Sequence, residues 1–474
     1  MTPVPGGNRH LFFSRDYRRM NGSKIINDYT RGSILGNLCR FSIPFILTNI
    51  LQLVYAIVDM IVVGRVVGGA AIAGVSVASH AFSFLVLSCS GLTMGGQIYI
   101  SQMLGGGSRD KLNRTLGSFF SLMLLLAATV SVLTFVFAAP LLRLLKTPPE
   151  SFGYAVTYIR VNCFGVLFTY GYSMFASAMR GLGDSKHPLY FIVLSSLLNL
   201  VLDVWFVAGL HWAVFGAAIA TVIAQVVKFA ASWVYLYRRR ADFGFDFKLK
   251  SWCIDGGTAK GILRLGIPLA VRYGTLQVST LFVHSLINGL GYQSTAVFGI
   301  GQRCDGVASH ITVGIFSGAS GIIGQNFGAH KFNRIRLTVR YTWLICGCFY
   351  AIYTVVLLCF NKELFSCFTK DEKVLELAPV FAYAMVWQFP GVTFNRGIVA
   401  LIHGIGNAWL SFVFAFLDAF LLRILLSWLL GVVMHMGLKG FILGYGLASY
   451  GIALPGLVYY FFCPWHKRAA VTKA

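Results

Sequence analysis

Charge is scarce along this chain: 12% of its residues are Asp, Glu, Lys or Arg, and only 16 of 474 are acidic. Soluble domains carry about 25% charged residues, so a water-soluble globule is excluded. No GxxxxGK[ST] sequence occurs, which excludes an ATP-driven engine in the chain. The ten cysteines are scattered, and most lie inside apolar runs. Cys346-Gly-Cys348 is the tightest pair, but no partner cluster has zinc-like spacing, so reduced, buried, inert thiols are expected. The first 40 residues are polar and basic and lack a small-residue cleavage pattern before a short apolar core. No cleavable signal peptide is expected there.

What is abundant is apolar surface. Hydrophobic residues make up 57% of the chain, mean hydropathy is +0.72, and there are 40 Phe and 51 Gly. This is the composition of an integral membrane protein, with glycine permitting close helix contact. Twelve apolar segments are long enough to cross a bilayer with some tilt. They run roughly 41–64, 70–103, 116–142, 154–179, 188–210, 213–237, 261–289, 294–327, 337–360, 375–402, 408–434 and 438–463. The net charge of +23 does not point to nucleic acid, because most Lys and Arg fall in the short loops between these runs. Twenty-six of the 39 lie on one side and seven on the other, which places both termini in the cytoplasm.

The chain divides into a basic tail (1–40), a first half (41–237), a linker (238–260), a second half (261–463) and a short tail (464–474). The halves repeat. Phe41-Ser-Ile-Pro44 corresponds to Leu265-Gly-Ile-Pro268, and Ser101-Gln102-Met-Leu-Gly105 to Gly324-Gln325-Asn-Phe-Gly328. Arg180-Gly-Leu-Gly-Asp184 corresponds to His403-Gly-Ile-Gly-Asn407, at an offset of about 223 to 225 throughout. Six spans per repeat give both halves the same topology, related by an axis along the membrane normal. The fold class expected is therefore all-α and membrane-integral: twelve helices in two six-helix bundles that rock about a shared cavity.

The first span, Phe41 to Gly64, carries Asn49, Gln52 and, deep along its length, Asp59. A carboxylate at such a depth costs about 2.5–3.5 kcal/mol on insertion scales, so it marks a functional site by default. Gln52, Tyr55 and Asp59 share one helical face, which must look into protein or a water-filled cavity. A purely structural salt bridge to another helix is the alternative for Asp59. The other acids within spans are Asp203, Asp305 and Asp418. Asn199 and Asp203 are spaced i,i+4 and share a face. Two carboxylates and an amide in a dry cavity either ligate a small cation or, when burial and like charge keep one acid protonated, carry a proton. Under the repeat, Asp59 aligns with His284, and Asn199 and Asp203 with Leu422 and Leu426, so the ion site is expected in the first half. Asp418 with Arg423, and Asp305 with Arg303, read as structural neutralisation of buried charge. His284 reads as a hydrogen-bonded packing residue. Gly181-Leu-Gly183-Asp184 follows a membrane helix, so it reads as a turn and not a phosphate loop.

Together, Pro44, Asn49, Gln52, Tyr55, Asp59, Gly64, Gly105, Arg180 to Asp184, Pro188, Asn199, Asp203 and Gly216 to Thr221 resemble the MATE (multidrug and toxic compound extrusion) transporters over about residues 33–463. The resemblance implies a V-shaped fold of two six-helix lobes that exports cationic or amphiphilic small molecules in exchange for H⁺ or Na⁺. It implies no cofactor beyond that coupling ion, no enzymatic activity and no nucleic acid partner, in a monomer of the plasma membrane. It places the coupling site on Asp59, Asn199, Asp203 and Thr221, with Na⁺ possible at the first three. Gln52, Tyr55, Gln277, His284 and Gln388 line the substrate cavity in this reading. The first and fourth spans of the second half offer Gln277, His284 and Gln388 where some members have carboxylates. That brings the chain nearer the DinF-like, N-lobe-coupled members than the NorM-like ones. A flippase for a lipid-linked or polyanionic substrate is the competing reading, sustained by Arg160, Arg272, Arg303, Arg396 and Arg423 within spans. A non-transporting scaffold would give the buried acids of one lobe no purpose.

Overall fold

Among the described residues, twelve helical units match the twelve apolar segments. The computed structural model describes residues 26–67, 78, 89–144, 147, 149–210 and 212–471, with the backbone alone for 55–67, 109, 144 and 208. The first bundle holds α1 (Ile34–Val67), α2 (described over 89–105), α3 (Leu112–Leu144), α4 (Pro149–Gly181), α5 (Lys186–Asp203) and α6 (Ala213–Arg238). The second holds α7 (Gly256–Asn288), α8 (Tyr292–Gly328), α9 (Phe332–Cys359), the bent pair α10 (Glu372–Met385 and Gln388–Gly404), α11 (Ala408–Val433) and α12 (Gly437–Phe462). Among the described residues eight helices are long and apolar enough to cross a membrane, or nine if the α10 pair, bent by 49°, is one span. α4 and α7 are each 33 residues long but are not among them. Both carry an arginine in mid-helix, Arg160 and Arg272.

The outward faces are greasy, as lipid demands. α3 exposes Val132, Leu133, Phe135, Val136 and Phe137, and α9 exposes Ile352 and Val355. Pro44 in α1 and Pro268 in α7 lie inside their helices, a placement that membrane-spanning helices tolerate. Wide π turns interrupt the equivalent helices of the two halves. One, Val204–Gly209, directly follows Asp203; the other two, Leu417–Ile424 and Leu429–Val433, lie in α11. Such turns cluster at functional positions.

The bundles meet through equivalent helix pairs, α1 on α8 and α2 on α7. Ser42 lies against Gly318 across the first pair, and Gly266 against Gly95 across the second, which are repeat-related contacts. Towards the side of the basic loops the crossing tightens. A methyl at Gly105 would run into the Gln325 carbonyl, and one at Gly328 into that of Gln102, so only glycine lets the two backbones touch.

The same side is bridged by segments near both ends of the described residues. Gln325 Oε1 accepts from Tyr29 N at 2.9 Å, and Gln325 Nε2 donates to the Asn27 carbonyl at 3.2 Å. Asn27 Nδ2 and the Tyr29 hydroxyl both donate to the Gly183 carbonyl, at 2.9 and 2.8 Å. Burial pushes that hydroxyl well above its usual titration range, so it stays a donor. Arg334 closes the strap by donating to the carbonyls of Tyr29, Arg31 and Gly32. Gln102, the repeat partner of Gln325, instead holds the other terminus: its Oε1 accepts from Val471 N at 3.0 Å, and its Nε2 donates to the Gly404 carbonyl at 2.8 Å. The segment after α6 is equally fastened, with Phe243 and Phe245 buried against Phe120 of the first bundle. Gly183, at φ +94°, makes the turn expected of Gly181 to Asp184. All ten cysteines are free thiols; four are buried as expected, while six are exposed.

Candidate functional site

Three of the four expected coupling residues converge between α5 and α6. With its amide oriented to suit its neighbours, Asn199 donates to Asp203 Oδ2 at 2.7 Å and accepts from the Thr221 backbone N at 3.1 Å. Asn199 and Asp203 are each 1% exposed, so the pair is dry. The Thr221 hydroxyl donates to the Ala217 carbonyl at 3.0 Å, turning along its own helix. The i,i+4 spacing explains how α5 presents amide and acid together, and α1 packs against both α5 and α6. The side chains of Asp59 and Tyr55, on α1, lie outside the described residues.

The second bundle holds a larger polar network. Asp418, 2% exposed on α11, accepts from Arg423 Nη2 at 2.8 Å, and Arg423 Nη1 donates to Thr280 Oγ1 at 3.0 Å. Residues five apart diverge on an α-helix, but the π turn Leu417–Ile424 brings this pair into line. The structural neutralisation expected of Asp418 and Arg423 is what the geometry contains. The expectation for Arg303 and Asp305 is overturned. Arg303 is exposed and Asp305 is buried, because two helical steps turn side chains about 200° apart. Asp305 instead accepts from Gln388 Nε2 of α10 at 3.3 Å. A carboxylate thus does reach the fourth span of this half, delivered from the second. Sequence reasoning had both residues in hand but no signal that joined helices 83 positions apart.

Nearby, Arg396 donates to Ser309 Oγ at 2.9 Å and Thr312 Oγ1 at 3.1 Å, and Thr312 shares a hydrogen bond with the Tyr350 hydroxyl at 3.1 Å. Arg272 is 6% exposed and lies 5.4 Å from the Tyr273 ring centroid. Of the expected cavity residues, His284 packs edge-on against Phe298 at 4.6 Å. Gln52 and Gln277 are exposed on α1 and α7, and among the described residues neither joins the two clusters.

Residues 44–205 and 268–429 each match the MatE family, two copies separated by the repeat offset. The chain belongs to the MatE family. Among curated MATE relatives, the probable multidrug resistance protein YoeA of Bacillus subtilis (strain 168) is 25% identical over 93% of this chain and 96% of its own length. The probable multidrug resistance protein YpnP of the same strain is also 25% identical, over 94% of this chain and 99% of its own length. Solved structures agree in fold. One described as the outward-facing conformation of a multidrug resistance MATE family transporter of the MOP superfamily superposes with TM-score 0.87 at 21% identity, covering 93% of this chain and 98% of that one. A MOP superfamily transporter from Pyrococcus furiosus, whose binding pocket is described as of reverse polarity, also gives TM-score 0.87, at 20% identity over 93% and 98%. The twelve-helix MATE fold in two six-helix bundles is thus established, in a multi-pass membrane protein.

Proposed function

We propose that this MATE transporter is a secondary active antiporter that exports cationic or amphiphilic small molecules across the plasma membrane in exchange for H⁺. The observation that carries the reading is the dry Asn199–Asp203 pair, held to the Thr221 backbone inside an apolar bundle. An acid tied to an amide, which brings no formal charge, responds to a proton or a small cation. Asp59 joins the site in this reading, with Gln52, Tyr55, Gln277, His284 and Gln388 along the substrate path. Both termini face the cytoplasm, so the strap formed by Asn27 to Gly32 closes the inner side while substrate leaves outward. The names of the curated relatives support multidrug substrates, and the two-bundle fold supports rocking. The test is growth of cells with and without the gene on a panel of cationic dyes and biocides, together with dye accumulation. Protection and lowered accumulation are expected; no change across the panel contradicts the reading.

A second reading, export of an anionic or lipid-linked substrate, is favoured by Arg272, a buried cation whose Nε has no hydrogen-bond partner among the described residues. Competition of acidic against cationic amphiphiles for efflux separates the two.

A further inference from the structure

The side that carries the basic loops contains a cavity of about 450 Å³, walled by both bundles and touched by the C-terminal Val471. Tyr99 and Met103 of α2 give it an apolar wall, while Lys111, Arg114, Lys260 and Arg264 surround it with cations. Its one carboxylate is already engaged. Asp255 pairs with Arg114 and caps α7 by accepting from Thr258 N at 2.9 Å and Thr258 Oγ1 at 2.7 Å. Lys111, Lys260 and Arg264 form no ion pair among the described residues. Three exposed cations without an acidic partner around one cleft give it a positive potential that favours an anion. The cleft also lies where α2, α3 and α7 end, with an apolar wall beside the charge. That combination suits a phosphate group carried on an amphiphile, as basic pockets between helices suit acidic headgroups.

We propose that this cleft binds a phosphate group, that of an anionic phospholipid headgroup, and so bridges the two bundles on this side. Ser108 to Thr115 belong to the first bundle, and Asp255 to Arg264 open the second. A ligand touching both walls favours the arrangement in which they are close, to the extent that it binds that arrangement better. The proposal goes beyond the efflux reading and is tested without transport.

The experiment uses the full chain in lipid nanodiscs of phosphatidylcholine, with or without phosphatidylglycerol. Native mass spectrometry follows retained lipid, and thermal unfolding follows stability. Wild type should retain phosphatidylglycerol over phosphatidylcholine and unfold at higher temperature in its presence. Lys111→Ala/Lys260→Ala should lose retention roughly fivefold per charge, about twenty-fivefold for the pair. Lys111→Arg/Lys260→Arg should keep it, which separates charge from folding damage. Inorganic phosphate added to phosphatidylcholine discs provides the second arm. If phosphate alone stabilises wild type and phosphatidylglycerol does not, the site takes a free phosphate and the lipid source is overturned. If neither anion distinguishes wild type from the alanine variant, the proposal fails.

Discussion

α5 and α11 occupy the same place in the two halves, and each buries an acid beside a wide turn, yet the two acids are held in opposite ways. Asp203 meets the Asn199 amide at 2.7 Å, whereas Asp418 meets the Arg423 guanidinium at 2.8 Å. The guanidinium supplies a full opposite charge in fixed geometry, so Asp418 and Arg423 make a neutral brace. The amide supplies a hydrogen bond and no charge, which suits the exchange of a proton or cation proposed for Asp203. In the proposed reading, duplication yielded one half suited to response and one to rigidity. Asp305, bound to Gln388 across a longer 3.3 Å contact, resembles the responsive arrangement inside the rigid half.

The contrast is broken most severely at the brace. Arg423→Ala leaves Asp418 buried without its counter-charge and should cost about 3–5 kcal/mol, seen as a large fall in the unfolding midpoint. Asp418→Leu combined with Arg423→Met should recover most of that loss, because an apolar pair of similar volume needs no neutralisation. Asp203→Asn should do the reverse. Efflux should fall at least about tenfold, equivalent to 1.4 kcal/mol, while thermal stability changes by about 1 kcal/mol or less. Gln388→Ala sharpens the comparison from the other half. It should cost about 1 kcal/mol of stability through the lost bond to Asp305 and lower efflux less than Asp203→Asn does.

The smallest expected effect lies outside the membrane. Hydrogen bonds from the Thr258 hydroxyl and backbone hold the Asp255 carboxyl below its usual range, helped by Arg114. A depressed pKa contributes stability above the ordinary carboxylate value and loses it as pH falls through the lowered one. Asp255→Ala should cost about 1 kcal/mol at neutral pH through the lost cap, and less as pH falls through that lowered value, by thermal unfolding across pH.

The twelve spans and the duplication were legible because lipid imposes length and hydropathy, and because the bundles touch through repeated residues. Gln102 and Gln325, Gly105 and Gly328, and Gly183 and Gly406 stand out in the sequence, and they are the residues at the tight crossing. Asn199 and Asp203 were legible because both lie on one helix face. What sequence could not supply was contact between distant elements. The Asp305–Gln388 pair spans two helices, and the proximity of Arg303 in sequence pointed the wrong way. Asn27 and Tyr29 sit in a stretch that reads as a basic tail, and their partners lie more than 150 positions away. The aromatic residues Phe243 and Phe245, set among charges, read as linker and are core.

The central claim is that the amide-held acid of the first bundle carries coupling. It is tested most directly by dye efflux from sodium-free proteoliposomes under an imposed pH gradient, comparing wild type with Asp203→Asn and Asp59→Asn at equal protein content. The account predicts wild-type efflux that follows the pH gradient and collapses with a protonophore, and no gradient-driven efflux from either variant. Efflux that ignores the pH gradient and needs sodium, or that persists in both variants, would contradict it.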